Sequence, residues 1–135
     1  MITAYFDGGA RGNPGPAGYG VHIVDDLGNV LSEQHGSLGI ATNNIAEYRG
    51  LIAALQWAVE HGVTSLTVRG DSQLIVEQML GNYKVKNEGL KPLYLQARML
   101  VMQIGDVRFE YVPREQNRDA DRLSNLGMDG NQTPA

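Results

Sequence analysis

The sequence contains no cysteine, which excludes disulfide bonds and thiolate metal sites and fits a reducing compartment. It also lacks any stretch of about 20 apolar residues, the length that a membrane-spanning helix requires. The N-terminus shows no basic segment followed by an apolar run, so we expect no signal peptide, a cytoplasmic location and no membrane contact. The 135 residues fit one domain, which can bury a core without covalent cross-links.

The sequence also has few basic residues: it contains 11 Lys and Arg and 15 Asp and Glu, which gives a net charge of −4. This balance alone argues against a nucleic-acid-binding surface, which is usually basic. The argument changes if four of the acids hold two divalent cations, because these would add four positive charges. Local basic side chains could then contact phosphate groups. The candidates are Arg11, Lys84, Lys86, Lys91, Arg114, Arg118 and Arg122.

Hydrophobic periodicity and turn signals predict nine elements in the order βββαβααβα. A Gly- and Pro-rich turn over residues 8–18 separates the first two strands. The Thr42-Asn43-Asn44 run, Ser72 and Asn117 can each cap the start of a helix, and Pro92 suits the first turn of another. The elements are expected at about residues 2–7, 19–24, 30–36, 43–61, 65–69, 73–80, 92–103, 107–112 and from 118 onwards.

This order predicts an α/β fold with a five-stranded mixed sheet flanked by helices. The first three strands form an antiparallel meander, and helical crossovers place the other two strands parallel to the first. We find no internal repeat and no domain boundary. The chain is therefore predicted to form a single domain over residues 1–127, followed by a frayed polar C-terminal tail over residues 128–135.

Four acidic residues occupy corresponding positions in this pattern. Asp7 and Asp71 close predicted strands, while Glu47 and Asp121 lie in the first turns of predicted helices. Strand ends and helix starts meet at a crevice in α/β sheets, where carboxylates repel one another unless cations lie between them. Oxygen ligands without His or Cys suit hard cations, Mg²⁺ first and Mn²⁺ second, and thus indicate phosphate chemistry. Each acid taken singly also fits a turn, a cap or the helix dipole.

Four segments resemble the motifs of the ribonuclease HI family, and they occur in the same order over nearly the whole chain. They are Tyr5–Gly20, Thr42–Glu47, Asp71–Leu74 and Val112–Leu123. The resemblance implies the ribonuclease H fold and endonucleolytic cleavage of the RNA strand of RNA–DNA hybrids. It also implies two Mg²⁺ ions per site, with Mn²⁺ as a substitute, and products that carry a 5′-phosphate and a 3′-hydroxyl.

The same resemblance assigns roles to the acids and to a set of substrate contacts. Asp7 would bridge both ions, Asp121 would complete the site of the ion that activates water, and Glu47 and Asp71 would hold the other ion. Contacts in the wide minor groove of a hybrid are nearly blind to base identity, so little sequence preference is expected. The implied substrate-binding residues are Gly8, Gly9, Asn13, Thr42, Asn43, Asn44 and Gln73.

The chain departs from the family pattern in two places, which makes it a short variant. Many members carry a histidine in a glycine-rich loop before the last aspartate, whereas this chain has Arg114-Glu115-Gln116-Asn117 there. Arg118 is the candidate accessory residue in place of that histidine. The segment after Leu80 lacks the basic protrusion of some relatives, so hybrid affinity is expected to be modest and salt-sensitive.

Two other functions fit the same fold. One is a catalytically silent nucleic-acid-binding module, and the other is a nuclease that acts on DNA or double-stranded RNA. A dinucleotide-binding site is a poor alternative, because the glycine spacing differs from G-x-G-x-x-G and the prolines prevent the required helix. We expect an RNA–DNA hybrid as the partner, no protein partner, and a monomer.

Overall fold

A computed structural model describes residues 1–133 of the chain, and it contains five strands, four α-helices and a short 3₁₀ turn. The strands are β1 (Ile2–Ala10), β2 (Gly15–Val24), β3 (Val30–Ala41), β4 (Ser65–Gly70) and β5 (Asp106–Tyr111). The helices are α1 (Asn43–Glu60), α2 (Gln73–Met79), α3 (Lys91–Ile104) and α4 (Arg118–Met128), and the 3₁₀ turn covers Arg114–Gln116. In the described residues, no helix is long and apolar enough to cross a membrane.

The strands form one mixed sheet in the order β3-β2-β1-β4-β5. β1 pairs antiparallel with β2, and β2 pairs antiparallel with β3. β4 lies parallel to both β1 and β5. The predicted five-stranded mixed sheet with flanking helices is therefore confirmed.

The first hairpin is longer than the glycines and prolines of its sequence predict. The turn predicted over residues 8–18 is wrong at both ends, because β1 continues to Ala10 and β2 begins at Gly15. The amide of Arg11 donates to the carbonyl of Pro16 at 2.9 Å and closes the hairpin over a short connection. Strand β3 likewise extends five residues beyond its predicted end and reaches Ala41.

Glycines in these strands let helices approach the sheet closely on both faces. A Cβ on Gly8 would lie 2.2 Å from the carbonyl of Ala46, so β1 contacts the start of α1 directly. A Cβ on Gly20 would lie 2.4 Å from the carbonyl oxygen of Ala120, so β2 contacts α4 on the opposite face. These glycines thus mark close helix–strand packing, although in sequence they indicate turns.

The main hydrophobic core lies between the sheet and helices α1 and α3. Alternate residues of the central strands, such as Ala4 and Phe6 in β1, point into it, together with buried residues of α1 such as Leu51 and Leu55. Burial of this apolar surface holds α1 rigidly across the sheet. The first turns of α1 are therefore fixed beside the C-terminal half of β1.

Two of the three predicted side-chain caps are present. The hydroxyl of Thr42 accepts from the amide of Ile45 at 3.3 Å, and that of Ser72 accepts from the amide of Ile75 at 3.3 Å. Pro92 lies in the first turn of α3, as predicted. Asn117 precedes α4, but its side chain forms no cap hydrogen bond within residues 1–133, so that predicted cap is wrong.

Part of the predicted C-terminal tail, up to Thr133, is held by hydrogen bonds. Helix α4 includes Gly127 and ends at Met128. The amide of Thr133 donates to the carbonyl of His35 at 2.9 Å, and the hydroxyl of Thr133 accepts from the amide of His35 at 2.7 Å. Thr133 thus lies against the edge strand β3, which a frayed tail would not do. The rest of the predicted tail, residues 134 and 135, lies outside the described residues.

Candidate functional site

The four predicted carboxylates come together in one cleft. Asp7 lies in β1, Glu47 in the first turns of α1, Asp71 directly after β4, and Asp121 in the first turn of α4. All four line a cleft of about 500 Å³ at the end of the sheet where β1 and β4 terminate. One carboxylate oxygen from each of Asp7, Glu47 and Asp71 lies within 4.8 Å of the other two.

Neutral hydrogen-bond donors fix the orientation of three of these acids. The backbone amide of Gly8 donates to Oε1 of Glu47. The hydroxyl of Ser124 donates to Oδ2 of Asp7 at 3.1 Å. The side-chain amide of Asn117 donates to Oδ2 of Asp71 at 3.2 Å. These contacts hold the oxygens together without neutralising their charge.

Burial and mutual repulsion disfavour the charged forms of these acids. Asp7 and Glu47 are only 7% and 6% exposed. Burial, with the nearby charge of Asp71, raises the pKa of Asp7 to about 7. Burial and then the charges of Asp7 and Asp71 raise the pKa of Glu47 well above its usual value. Burial also raises the pKa of Asp71, although the Arg114 guanidinium opposes this.

This donor set fits a hard divalent cation. It offers only oxygen atoms, in a cluster whose charges repel one another, and a cation would relieve that repulsion. The cleft is open on one side and is also lined by backbone of Gly8, Gly9 and Ala10. A bound ion could therefore be shared with oxygen atoms of a substrate.

The implied substrate contacts divide between this cleft and a neighbouring pocket. Gly8, Gly9, Asn43 and Asn44 line the cleft itself. Asn44 also lines an adjacent pocket of about 240 Å³, and the other residues that line it are Asn13, Thr42, Ile45, Asn87 and Leu90. Gln73 is exposed at the first position of α2, two residues after Asp71.

Asn43 links the first hairpin to the start of α1. Its side-chain oxygen accepts from the amide of Ala10 at 2.8 Å, and its own amide donates to Oδ1 of Asn13 at 3.0 Å. The loop after β1 is thereby held beside the cleft. Two of the implied contacts, Asn13 and Asn43, thus also stabilise the local fold.

The structure places a different arginine beside the acids from the one that we predicted. Arg114, in the 3₁₀ turn before α4, lines the cleft. Its positive charge favours the charged form of Asp71 and so opposes the rise in the pKa of that acid. Arg118 lines a separate pocket of about 220 Å³, with Tyr5 and His22 among its other lining residues. The prediction of Arg118 as the accessory residue is therefore not supported by its position.

Asn117 and Ser124 are site residues that the sequence did not reveal to us. With Asp121 they have the spacing i, i+4 and i+7, which places all three on one face of α4. Both are buried polar residues, and both donate to a carboxylate of the cleft. A polar stripe on the buried face of an otherwise amphipathic helix is the signal that could have identified them.

A second group with potential metal ligands contains His22, Glu33 and Asp119. Here a side-chain cation is already in place, because Nη2 of Arg122 lies 2.9 Å from Oε2 of Glu33 and 3.5 Å from Oδ1 of Asp119. Nδ1 of His22 lies 2.8 Å from the same oxygen of Glu33. This group is thus an ion-pair cluster that joins β2, β3 and α4.

Comparison with known proteins assigns the chain to a family. The family described as "Reverse transcriptase-like" matches residues 5–127. The bifunctional protein Rv2228c of Mycobacterium tuberculosis is 53% identical over 124 residues, which are 91% of this chain and 34% of that protein. The ribonuclease HI of Halobacterium salinarum is 41% identical over 128 residues, 95% of this chain and 64% of that protein.

Solved structures agree with this assignment. The N-terminal RNase H domain of Rv2228c superposes with a TM-score of 0.92 and 50% identity, over 95% of this chain and 98% of that one. LC11-RNase H1 in complex with an RNA/DNA hybrid superposes with a TM-score of 0.91 and 45% identity, over 96% and 97% of the two chains. The fold is thus that of the RNase H class.

The chain belongs to the reverse transcriptase-like family and, within it, to the ribonucleases H of type 1. It spans only about a third of the length of the mycobacterial protein, so the activity and partners of that larger protein do not follow from the match.

Proposed function

We propose that this protein hydrolyses the RNA strand of RNA–DNA hybrids. The observation that carries the proposal is the convergence of Asp7, Glu47, Asp71 and Asp121, from four separate elements, in one open cleft. The similarity to LC11-RNase H1, which was solved with a hybrid bound, supports a hybrid as the substrate. We also propose that the protein acts as a monomer in the cytoplasm, a location that the absence of cysteine fits.

The four carboxylates would hold the divalent ions, Mg²⁺ by preference with Mn²⁺ as a substitute, because the donors are all oxygen. When bound, two such ions would supply an activated water and stabilise charge on the leaving oxygen, which would give 5′-phosphate and 3′-hydroxyl ends. The neutral donors Gly8, Asn117 and Ser124 orient the acids and leave their negative charge available to the ions.

Other residues would position the hybrid beside the acids. The backbone at Gly8 and Gly9 can approach a ribose closely, because these residues have no side chains. Asn43 and Asn44 line the same cleft, and they lead to the pocket that Asn13 and Thr42 share. We propose these four residues and Gln73 as contacts to the sugars, the minor-groove edges and a DNA phosphate.

Arg114 is the cationic side chain that we propose for the scissile phosphate. It lines the cleft beside Asp71, and its positive charge suits either the attacked phosphate or the released 5′-phosphate. It would partly take the place of the histidine that many family members carry in this region.

The proposal is tested by incubating the purified chain with end-labelled duplexes of one sequence: RNA–DNA, RNA–RNA and DNA–DNA. Mg²⁺ and Mn²⁺ are compared, and the Asp7→Asn variant serves as the control. We expect cleavage of the RNA strand of the hybrid alone, 5′-phosphate ends on the products, and no cleavage by the variant.

Each other result has a distinct meaning. Cleavage of RNA–RNA at a comparable rate would replace the proposed substrate with double-stranded RNA. Hybrid binding without cleavage in either cation would indicate a silent binding module. Equal cleavage by wild type and Asp7→Asn would remove the acidic cleft from the chemistry.

A further inference from the structure

The side chain of Asn117 lies buried among the elements that carry the acids. It is 1% exposed, and it precedes α4 at a position where asparagine usually caps the helix. Instead, its amide nitrogen donates to the carbonyl of Phe6 at 2.9 Å and to Oδ2 of Asp71 at 3.2 Å. Phe6 directly precedes Asp7, so one amide group contacts the chain on both sides of the acidic cluster.

The chemistry of these contacts fixes the orientation of the amide. Both acceptors are oxygen atoms, so exchanging the nitrogen and oxygen of Asn117 would place an acceptor against two acceptors. In the observed orientation both amide hydrogens are used, while Oδ1 is buried without a hydrogen-bond partner in residues 1–133. Burying an amide oxygen in this way costs stability, which an apolar residue would avoid. The observed orientation thus satisfies both acceptors of the amide nitrogen and leaves Oδ1 without a partner.

The backbone of Asn117 extends these links to the other side of the cleft. Its carbonyl accepts from the amide of Asp121 at 3.0 Å, the first hydrogen bond of α4. Its own amide donates to the carbonyl of Arg114 at 2.9 Å. Asn117 is thus bonded to Asp71, to the residue before Asp7, and to the turn that carries Asp121.

We infer that Asn117 is a positioning residue that sets the separation of Asp7, Asp71 and Asp121 and so determines how tightly the cleft binds divalent cations. The inference rests on the proposed function and deepens it. Without the hydrogen bond from Asn117 to Oδ2, the carboxylate of Asp71 is free to rotate away from Asp7. Asn117 does not line the cleft, so its loss affects metal binding and turnover but not contact with the hybrid.

The test uses Asn117→Leu, which keeps nearly the shape of the side chain, removes both donors and adds no charge, and Asn117→Ser, which keeps one donor. Mn²⁺ binding without nucleic acid is measured by isothermal titration calorimetry, and hybrid cleavage is measured over a range of Mg²⁺ concentrations. We expect at least a tenfold weaker Mn²⁺ affinity for Asn117→Leu, a smaller loss for Asn117→Ser, and a lower kcat with unchanged KM for the hybrid.

Tyr48→Phe is the matched control, because it also removes one buried hydrogen bond, from the Tyr48 hydroxyl to Oε1 of Gln78 at 2.6 Å. It should lower the melting temperature while Mn²⁺ affinity stays at the wild-type value. If Asn117→Leu does the same, or if neither Asn117 variant folds, Asn117 is structural and the inference is overturned. If wild type binds Mn²⁺ in an Asn117-dependent way but cuts no hybrid, the inference stands and the proposed function fails.

Discussion

At the scale of single residues, the burial of Asp7 carries an electrostatic cost. Its pKa is about 7 in the folded chain against an ordinary value of 3.8, chiefly because the carboxyl group is buried. The folded protein therefore holds this proton up to about pH 7, whereas the unfolded chain loses it near pH 4. Stability without metal must fall as the pH rises through this window, and it should then level off.

Replacing Asp7 by Asn should remove this cost and also the proposed activity. In EDTA at pH 8, we expect the free energy of unfolding of Asp7→Asn to exceed that of the wild type by about 1–4 kcal/mol. Its stability should also depend less on pH between 4 and 7, as measured by calorimetry. Glu115→Gln, which removes an exposed carboxylate, is the control. A marked loss of stability in Asp7→Asn would instead make Asp7 a structural residue.

The two neighbouring arginines should differ in their effect on turnover. Arg114 lines the acidic cleft, while Arg118 lies in the pocket beside His22. Arg114→Ala should lower kcat on the hybrid about 100-fold, at the lower end of the range for loss of one group that stabilises developing charge. Arg118→Ala should stay within about twofold of wild type. The reverse order in steady-state kinetics would restore the role that we first predicted for Arg118.

At the scale of elements, the close contact of β1 with α1 places Glu47 beside Asp7. Gly8→Ala would drive a Cβ to 2.2 Å from the carbonyl of Ala46, so the strand and helix must separate. We expect a loss of about 1–3 kcal/mol in urea denaturation and a loss of metal binding. Gly9→Ala is the matched control, because its Cβ would meet only the flexible end of Met128 at 3.3 Å. Equal stability of the two variants would contradict this account.

Element boundaries were predictable where local chemistry decides them. Thr42 and Ser72 cap their own helices, so the starts of α1 and α2 could be predicted from a few neighbouring residues. The ends of the first hairpin could not, because glycines that normally indicate a turn here serve close helix packing. The side chain of Asn117 was also beyond local inference, since its partners Phe6 and Asp71 are distant in sequence.

The residues of the site also differed in how far the sequence could predict them. The positions of the four acids at predicted strand ends and helix starts suggested a site, and the resemblance of the motifs specified it. The cleft does contain all four, although Asp7 lies within β1 and not at its end. Which arginine accompanies them was not predictable. Arg114 and Arg118 are one turn apart in the sequence, and only the 3₁₀ turn before α4 decides which of them faces the cleft.

At the scale of the whole molecule, binding of metal ions in the cleft is linked to the stability of the fold. Cations that bind only the folded cleft should stabilise the protein by about 2.7 kcal/mol when their concentration is 100 times the Kd. Adding Mg²⁺ should therefore raise the melting temperature of wild type in a concentration-dependent way and leave that of Asp7→Asn nearly unchanged. The melting temperatures are measured by differential scanning fluorimetry. Equal shifts in both proteins would indicate that the ions bind elsewhere.

Helix α4 comes after all five strands in the chain, and it supplies Asp121 and Ser124. On the ribosome, a nascent chain presents Asp7 early and must wait for its last helix before the cleft is complete. An unfinished or prematurely terminated product therefore carries three acids but no finished metal site. The order of the elements thus delays any chemistry of this cleft until translation of α4 is over.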